Sequence, residues 1–201
     1  MRMFRLSLAA LCMASLVLTG CSKGGSGNGN AQMRILNAFS EASALNVSVA
    51  STPAVTGLPF QGLTQYISVS SGTPLVTVGV TGATTTLINT MYNISSGTNY
   101  SYVIFGSLTA VAATLGNDAF SDPGSGFFAL RVLNGAPGSG AVDVYLTAPG
   151  ADLASSAPSL TNISYGVTSV FTPIAIGANF EDEIRRFLGE AHELVVLFTP
   201  C

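Results

Sequence analysis

Tryptophan is missing from this sequence, histidine occurs once, and only 8% of the 201 residues are charged. Each shortage excludes something. With seven Lys and Arg against ten Asp and Glu there is no basic stripe, so nucleic acid is not an expected partner. A single histidine, His192, leaves little material for imidazole-based catalysis or for His-rich metal sites. No H-E-x-x-H helix or Gly-rich phosphate loop is present, so no cofactor is expected and catalysis is unsupported. With few ions available, solubility has to rest on hydroxyls and amides.

Long apolar runs are scarce as well. The chain opens with Arg2 and Arg5 ahead of an apolar stretch from Leu6 to Leu18, the layout of a secretory signal peptide. A membrane-spanning helix needs about 20 apolar residues, and this run is shorter. It ends in Leu18-Thr19-Gly20-Cys21, which resembles the lipobox of bacterial lipoproteins. That resemblance implies cleavage before Cys21, acylation of its thiol, and attachment to a membrane through the acyl chains. Buried acyl CH₂ groups contribute about 0.8 kcal/mol each, so several chains hold firmly. Ser22 stands where an inner-membrane retention aspartate would be, which makes the outer membrane of a bacterial envelope the expected location. The following SKGGSGNGNAQ has nothing apolar to bury and reads as a flexible tether.

Cysteine is equally sparse. Cys12 lies in the signal and Cys21 is committed to lipid, so Cys201 is left as an odd thiol and no internal disulfide is expected.

What the sequence does contain is alternation. Leu45, Val47 and Val49 alternate with Asn46 and Ser48, and Val76, Val78 and Val80 alternate with Thr77, Gly79 and Thr81, the period of half-buried strands. NYSYVIFG at 99–106 and GAVDVYLT at 140–147 add β-branched and aromatic residues, with turn formers at 70–72, 95–99 and 136–140. No convincing helix occurs between residues 31 and 178. Short strands so punctuated predict antiparallel β-sandwich architecture.

The chain also repeats itself. MRILNAFSEASALNVSV at 33–49 returns 97 positions later as LRVLNGAPGSGAVDVYL, matching Arg34 to Arg131, Leu36 to Leu133, Asn37 to Asn134, Ala44 to Ala141 and Val47 to Val144. A second block, 60–72, aligns with 164–177 after a one-residue slip, so duplication is the economical explanation. The second copy, through Arg131, Val132, Leu133, Asn134, Ala136, Pro137, Ala141, Val142, Asp143, Val144, Tyr145, Tyr165 and Gly166, resembles the domain of unknown function 4397 family. In the first copy Phe39-Ser40 and Asn46 depart from that pattern. The resemblance covers nearly all of 33–180 and implies a β-sandwich in a secreted or surface-attached bacterial protein, without implying an activity.

Within the motif, Asp143 is expected either on the solvent face of its strand or paired with Arg131. Asn37 and Asn134 precede turn-rich segments, where an amide can bond the backbone two residues on. Asp118 and Asp122 do not match a Ca²⁺ loop and are read as interdomain linker. Arg34, Asn37, Arg131, Asn134, Asp143 and Tyr145 are therefore expected to be structural.

The last 23 residues differ in character: Phe180, Ile184, Phe187, Leu188 and Ala191 recur at helical spacing, and Glu181 with Arg185 and Asp182 with Arg186 form i,i+4 pairs. Either a helix replaces the final strands, or the chain is truncated or frame-shifted from about residue 181. The expected whole is all-β, with two antiparallel Ig-like or transthyretin-like β-sandwich modules in tandem and an atypical short C-terminal helix. Its parts are a signal peptide (1–20), a tether (21–32), a first module (33–117), a linker (118–127), an incomplete second module (128–180) and a helical tail (181–201). The expected role is a structural or adhesive one at the cell envelope, towards an envelope or extracellular protein or glycan. The alternative is a ligand- or glycan-binding module presenting Tyr66, Tyr92, Tyr100, Tyr102, Tyr145 and Tyr165.

Overall fold

The computed structural model describes residues 29–148, 150–176 and 194–199. Among them the chain is essentially all-β, with one 3₁₀ turn at Leu153–Ser155. The first eight strands are β1 (Asn30–Asn37), β2 (Ala44–Val49), β3 (Thr52–Pro59), β4 (Ile67–Ser70), β5 (Leu75–Val80), β6 (Thr86–Met91), β7 (Asn99–Ser107) and β8 (Ala110–Asn117). They form two four-stranded sheets, ordered β4-β1-β7-β8 and β3-β2-β5-β6. The alternation in β1, β2 and β5 turns Met33, Ile35, Leu45, Val47, Val76 and Val78 inward, where they share one buried cluster with Tyr102 and Ile104. The arrangement is sandwich-like.

Proline marks the edges. Pro53 and Pro59 lie in β3, at the outside of its sheet, where a missing N–H breaks no ladder bond. The β2–β3 hairpin closes through Ala50 and Ser51, both at positive φ (49° and 62°), the backbone of a two-residue primed turn built without glycine.

Five further strands follow: β9 (Phe127–Asn134), β10 (Val142–Val144), β11 (Leu160–Ile163), β12 (Thr172–Ala175) and β13 (Leu194–Thr199). They make a three-stranded sheet, β12-β9-β13, and a two-stranded one, β10-β11. Leu130, Val132, Val144 and Ile163 form their common core. Leu133 points the other way and is buried with Val103 and Phe105, against the far side of β7. Strand β7 is consequently covered on both faces, which is why its residues 100–106 are all buried.

One expectation is refined here and one corrected. The ladders are antiparallel, as expected, except that β1 runs parallel to β7 over Gln32 to Asn37, which makes the β4-β1-β7-β8 sheet mixed. The tail is not helical at residues 194–199, which pair antiparallel with β9 as β13; consecutive β-branched and apolar residues in LVVLFT suit a strand. Residues 181–193, where the helical spacing was read, lie outside the described residues, as do the signal peptide and Cys21. Strand β1 begins at Asn30, within the stretch expected to be tether.

Candidate functional site

The motif residues are best understood as two matching sets of polar contacts. Asn37 ends β1 and is fully buried. Its Oδ1 accepts the Phe39 N–H at 3.0 Å and its Nδ2 donates to the Leu58 carbonyl at 3.0 Å. Asn134 ends β9, equally buried; its Oδ1 accepts the Ala136 N–H at 3.1 Å and its Nδ2 donates to the Ile163 carbonyl at 3.0 Å. The backbones match too. The Asn37 N–H donates to Gly62 and its carbonyl accepts from Gln61, while the Asn134 N–H donates to Val167 and its carbonyl accepts from Gly166. Gln61 and Gly166 both hold positive φ, 63° and 74°. Each asparagine thus closes a turn two residues on, as its place in the sequence suggests, and additionally fastens a strand across the core.

Asn46 and Asp143 form a similar pair. Asn46 Oδ1 accepts the N–H of Gly57 at 2.8 Å, and Asp143 Oδ1 accepts the N–H of Asn162 at 2.7 Å. Gly57 and Asn162 both sit at positive φ, 67° and 57°. Only an acceptor oxygen is required at this place, so amide and carboxylate serve equally. Asp143 is exposed on its strand, the first of its two expected placements, and its bonded partner is a backbone amide rather than Arg131.

Arg131 instead points at Asp118, the residue read as linker. Asp118 is 7% exposed and Arg131 4% exposed. Arg131 Nη2 donates to Asp118 Oδ1 at 2.5 Å, and Nη1 donates to the Asn117 carbonyl at 2.6 Å. From the other side Arg34 Nε lies 3.6 Å from Asp118 Oδ2 and donates to Ser101 Oγ at 2.7 Å, which in turn donates to the same Oδ2 at 2.7 Å. The Tyr66 hydroxyl also donates to Oδ2, at 2.7 Å. Burial, and then the Asp118 carboxylate, push the Tyr66 phenol from its ordinary 10.0 up to about 12. An aromatic ring covers each guanidinium: Tyr66 stands 5.2 Å from Arg34 and Phe171 4.4 Å from Arg131.

This convergence depends on close approach. A Cβ placed on Gly116, the penultimate residue of β8, would come within 3.0 Å of Arg131 Nη2. At Gly106, with φ of 105°, a Cβ would lie only 3.1 Å from the Tyr165 hydroxyl and would collide with the Ala110 carbonyl. The ring of Tyr165 packs edge-on against Phe105, with centroids 5.7 Å apart.

The remaining tyrosines are dispersed. Tyr100 and Tyr102 are buried, Tyr92 and Tyr145 half-buried, and Tyr66 and Tyr165 reach solvent. Asp122 is exposed and accepts the N–H of Gly124. Among the described residues no group of three or more His, Cys, Asp or Glu is placed to hold a metal ion. Asp118 is the central residue that the sequence motifs did not single out. The available signal was the shortage of charge, because a carboxylate in so uncharged a chain has few other cations to meet.

No curated protein matches the chain. A protein family does, over residues 31–145, from the second residue of β1 to the residue after β10, stopping short of Tyr165 and Gly166. The matched range is more than half of the chain, which therefore belongs to the family described as Domain of unknown function (DUF4397).

Proposed function

We propose that the chain is a lipid-anchored cell-envelope protein in which two copies of one β-sandwich module are clasped into a single structural or adhesive body. The observation that carries this reading is the use made of the motif residues. Asn37, Asn46, Arg34, Asn134, Asp143 and Arg131 each hold strands, turns or one another. The one serine hydroxyl these residues hold against a carboxylate, Ser101 on Asp118, is buried with it, where a hydrolytic site needs an open nucleophile. The matching hydrogen bonds support duplication: residues 34–46 correspond to 131–143 at a spacing of 97, and 57–66 to 162–171 at a spacing of 105. Lengthening of the connection that follows β10 accounts for the difference.

A body of this kind suits a protein carried on acylated Cys21, where cohesion under load matters more than an active cleft. The alternative, a glycan-binding face built from tyrosines, has less support. Of the six tyrosines only Tyr66 and Tyr165 are exposed, and the Tyr66 hydroxyl is engaged by Asp118.

The experiment is to replace Cys21 by alanine in the producing bacterium and to follow the membrane fraction and cell-to-surface adhesion beside a deletion strain. The chain should leave the membrane, and adhesion should fall to the deletion level. Unchanged membrane retention would overturn the anchor, and full adhesion by the deletion strain would overturn the role.

A further inference from the structure

The buried cluster is not electrically balanced. Two guanidinium groups, Arg34 and Arg131, meet one carboxylate, Asp118, leaving one positive charge in excess. Arg131 Nε and Arg34 Nη2 are buried without a hydrogen-bond partner among the protein atoms. A buried donor on a charged group left unpaired keeps its whole desolvation penalty, so an acceptor is favoured there. The other carboxylates of the described residues are exposed and turned elsewhere: Glu41 to the Leu108 N–H, Asp122 to Gly124, Asp143 to Asn162 and Asp152 to Ala154.

Arg131 lines an open cleft of about 540 Å³ whose walls include Phe120, Phe171 and Val170. The two rings lie 5.3 Å apart, and Val170 is 80% exposed at the rim. We infer that this cleft binds a small monocarboxylate carried on an aromatic or apolar body, with its carboxylate answering the cluster's excess charge from the Arg131 side and its body lying along Phe120, Phe171 and Val170. One excess charge in the cluster and one buried, unpartnered donor on Arg131 match a monoanion, and the apolar walls favour a body that brings surface to bury. A phosphate dianion would overcompensate the charge and leave those walls unused.

The test is a titration of benzoate into the full chain in nonionic detergent, followed through the Nε–Hε NMR resonance of Arg131, assigned by its loss in Arg131→Lys. A saturable shift is expected, with a dissociation constant on the order of 1 mM. Benzyl alcohol and chloride at matched ionic strength should leave the resonance in place. Val170→Asp, at an exposed position away from the clasp, should weaken benzoate by about tenfold or more through like-charge repulsion. Absence of a saturable shift, an equal shift with chloride, or unchanged affinity in Val170→Asp would each overturn the inference.

Discussion

Arg34 and Arg131, placed 97 positions apart in corresponding strands, share a single counterion, one on each oxygen of Asp118. A buried ion pair is by itself weak evidence of stability, because desolvation offsets most of the Coulomb gain. Its removal is another matter, and the order of the consequences follows from the charge count.

Asp118→Asn leaves the buried Arg131 and the half-buried Arg34 without their shared anion. The expected loss is about 3–5 kcal/mol. Arg34→Met leaves one cation with one anion, and its loss should be clearly smaller. Denaturant unfolding of both variants checks the ordering; an Arg34→Met protein as unstable as Asp118→Asn would contradict the charge imbalance.

Asn37 and Asn134 each satisfy a buried carbonyl, and an N–H that is buried at Phe39 and half-buried at Ala136. Alanine at either position should cost about 1–3 kcal/mol for every partner left unpaired. Aspartate should be no better than alanine, since it loses the amide donor and buries charge. The measurement is the shift in unfolding midpoint, with hydrogen exchange at the Phe39 and Ala136 amides reporting which turn has opened.

The primed turn at Ala50 and Ser51 holds two side-chain-bearing residues in the left-handed region. That conformation costs about 1–2 kcal/mol per residue, and less for Asn or Gly. The double substitution Ala50→Asn with Ser51→Gly should therefore stabilise the chain by about 1 kcal/mol. A neutral or negative change in thermal unfolding would show that this hairpin is not strained.

Alkaline pH gives a further prediction. Unfolded, the Tyr66 phenol ionises near its ordinary 10.0; folded, it holds its proton to about 12. Below pH 10 both states are protonated and its contribution is fully present. Between 10 and 12 only the unfolded chain releases the proton, so stability falls as pH rises and the contribution is lost. Tyr102, raised in the same direction by burial, adds to the fall. Tyr66→Phe should make the decline shallower in denaturant midpoints measured across this window, and an unchanged decline would contradict the Asp118 contact.

Alternation made the strands legible from sequence: Leu45, Val47 and Val49 in β2 and Val76 and Val78 in β5 point where their period puts them. The asparagine turns were legible for a local reason, since the N–H groups their Oδ1 atoms accept from lie two residues away. Asp118 was not, because its partners Arg34 and Arg131 are brought to it by tertiary packing and not by spacing. The β13 strand was missed for a related reason. Val195, Val196 and Leu197 follow a stretch with helical period, and pairing with β9 overrides that local signal. The 60–72 and 164–177 blocks were matched with a slip that aligned their glycines. Backbone conformation instead aligns Gln61 with Gly166, both left-handed, and so brings Tyr66 into correspondence with Phe171.

The Asp118 cluster should make one cooperative body of segments 30–117 and 127–176. Calorimetric unfolding of the full chain and of Asp118→Asn tests this directly, by comparing the calorimetric with the van't Hoff enthalpy. A single two-state transition is expected for the native chain and two separated transitions for Asp118→Asn. Two independent transitions in the native chain, or one unchanged transition in the variant, would contradict it.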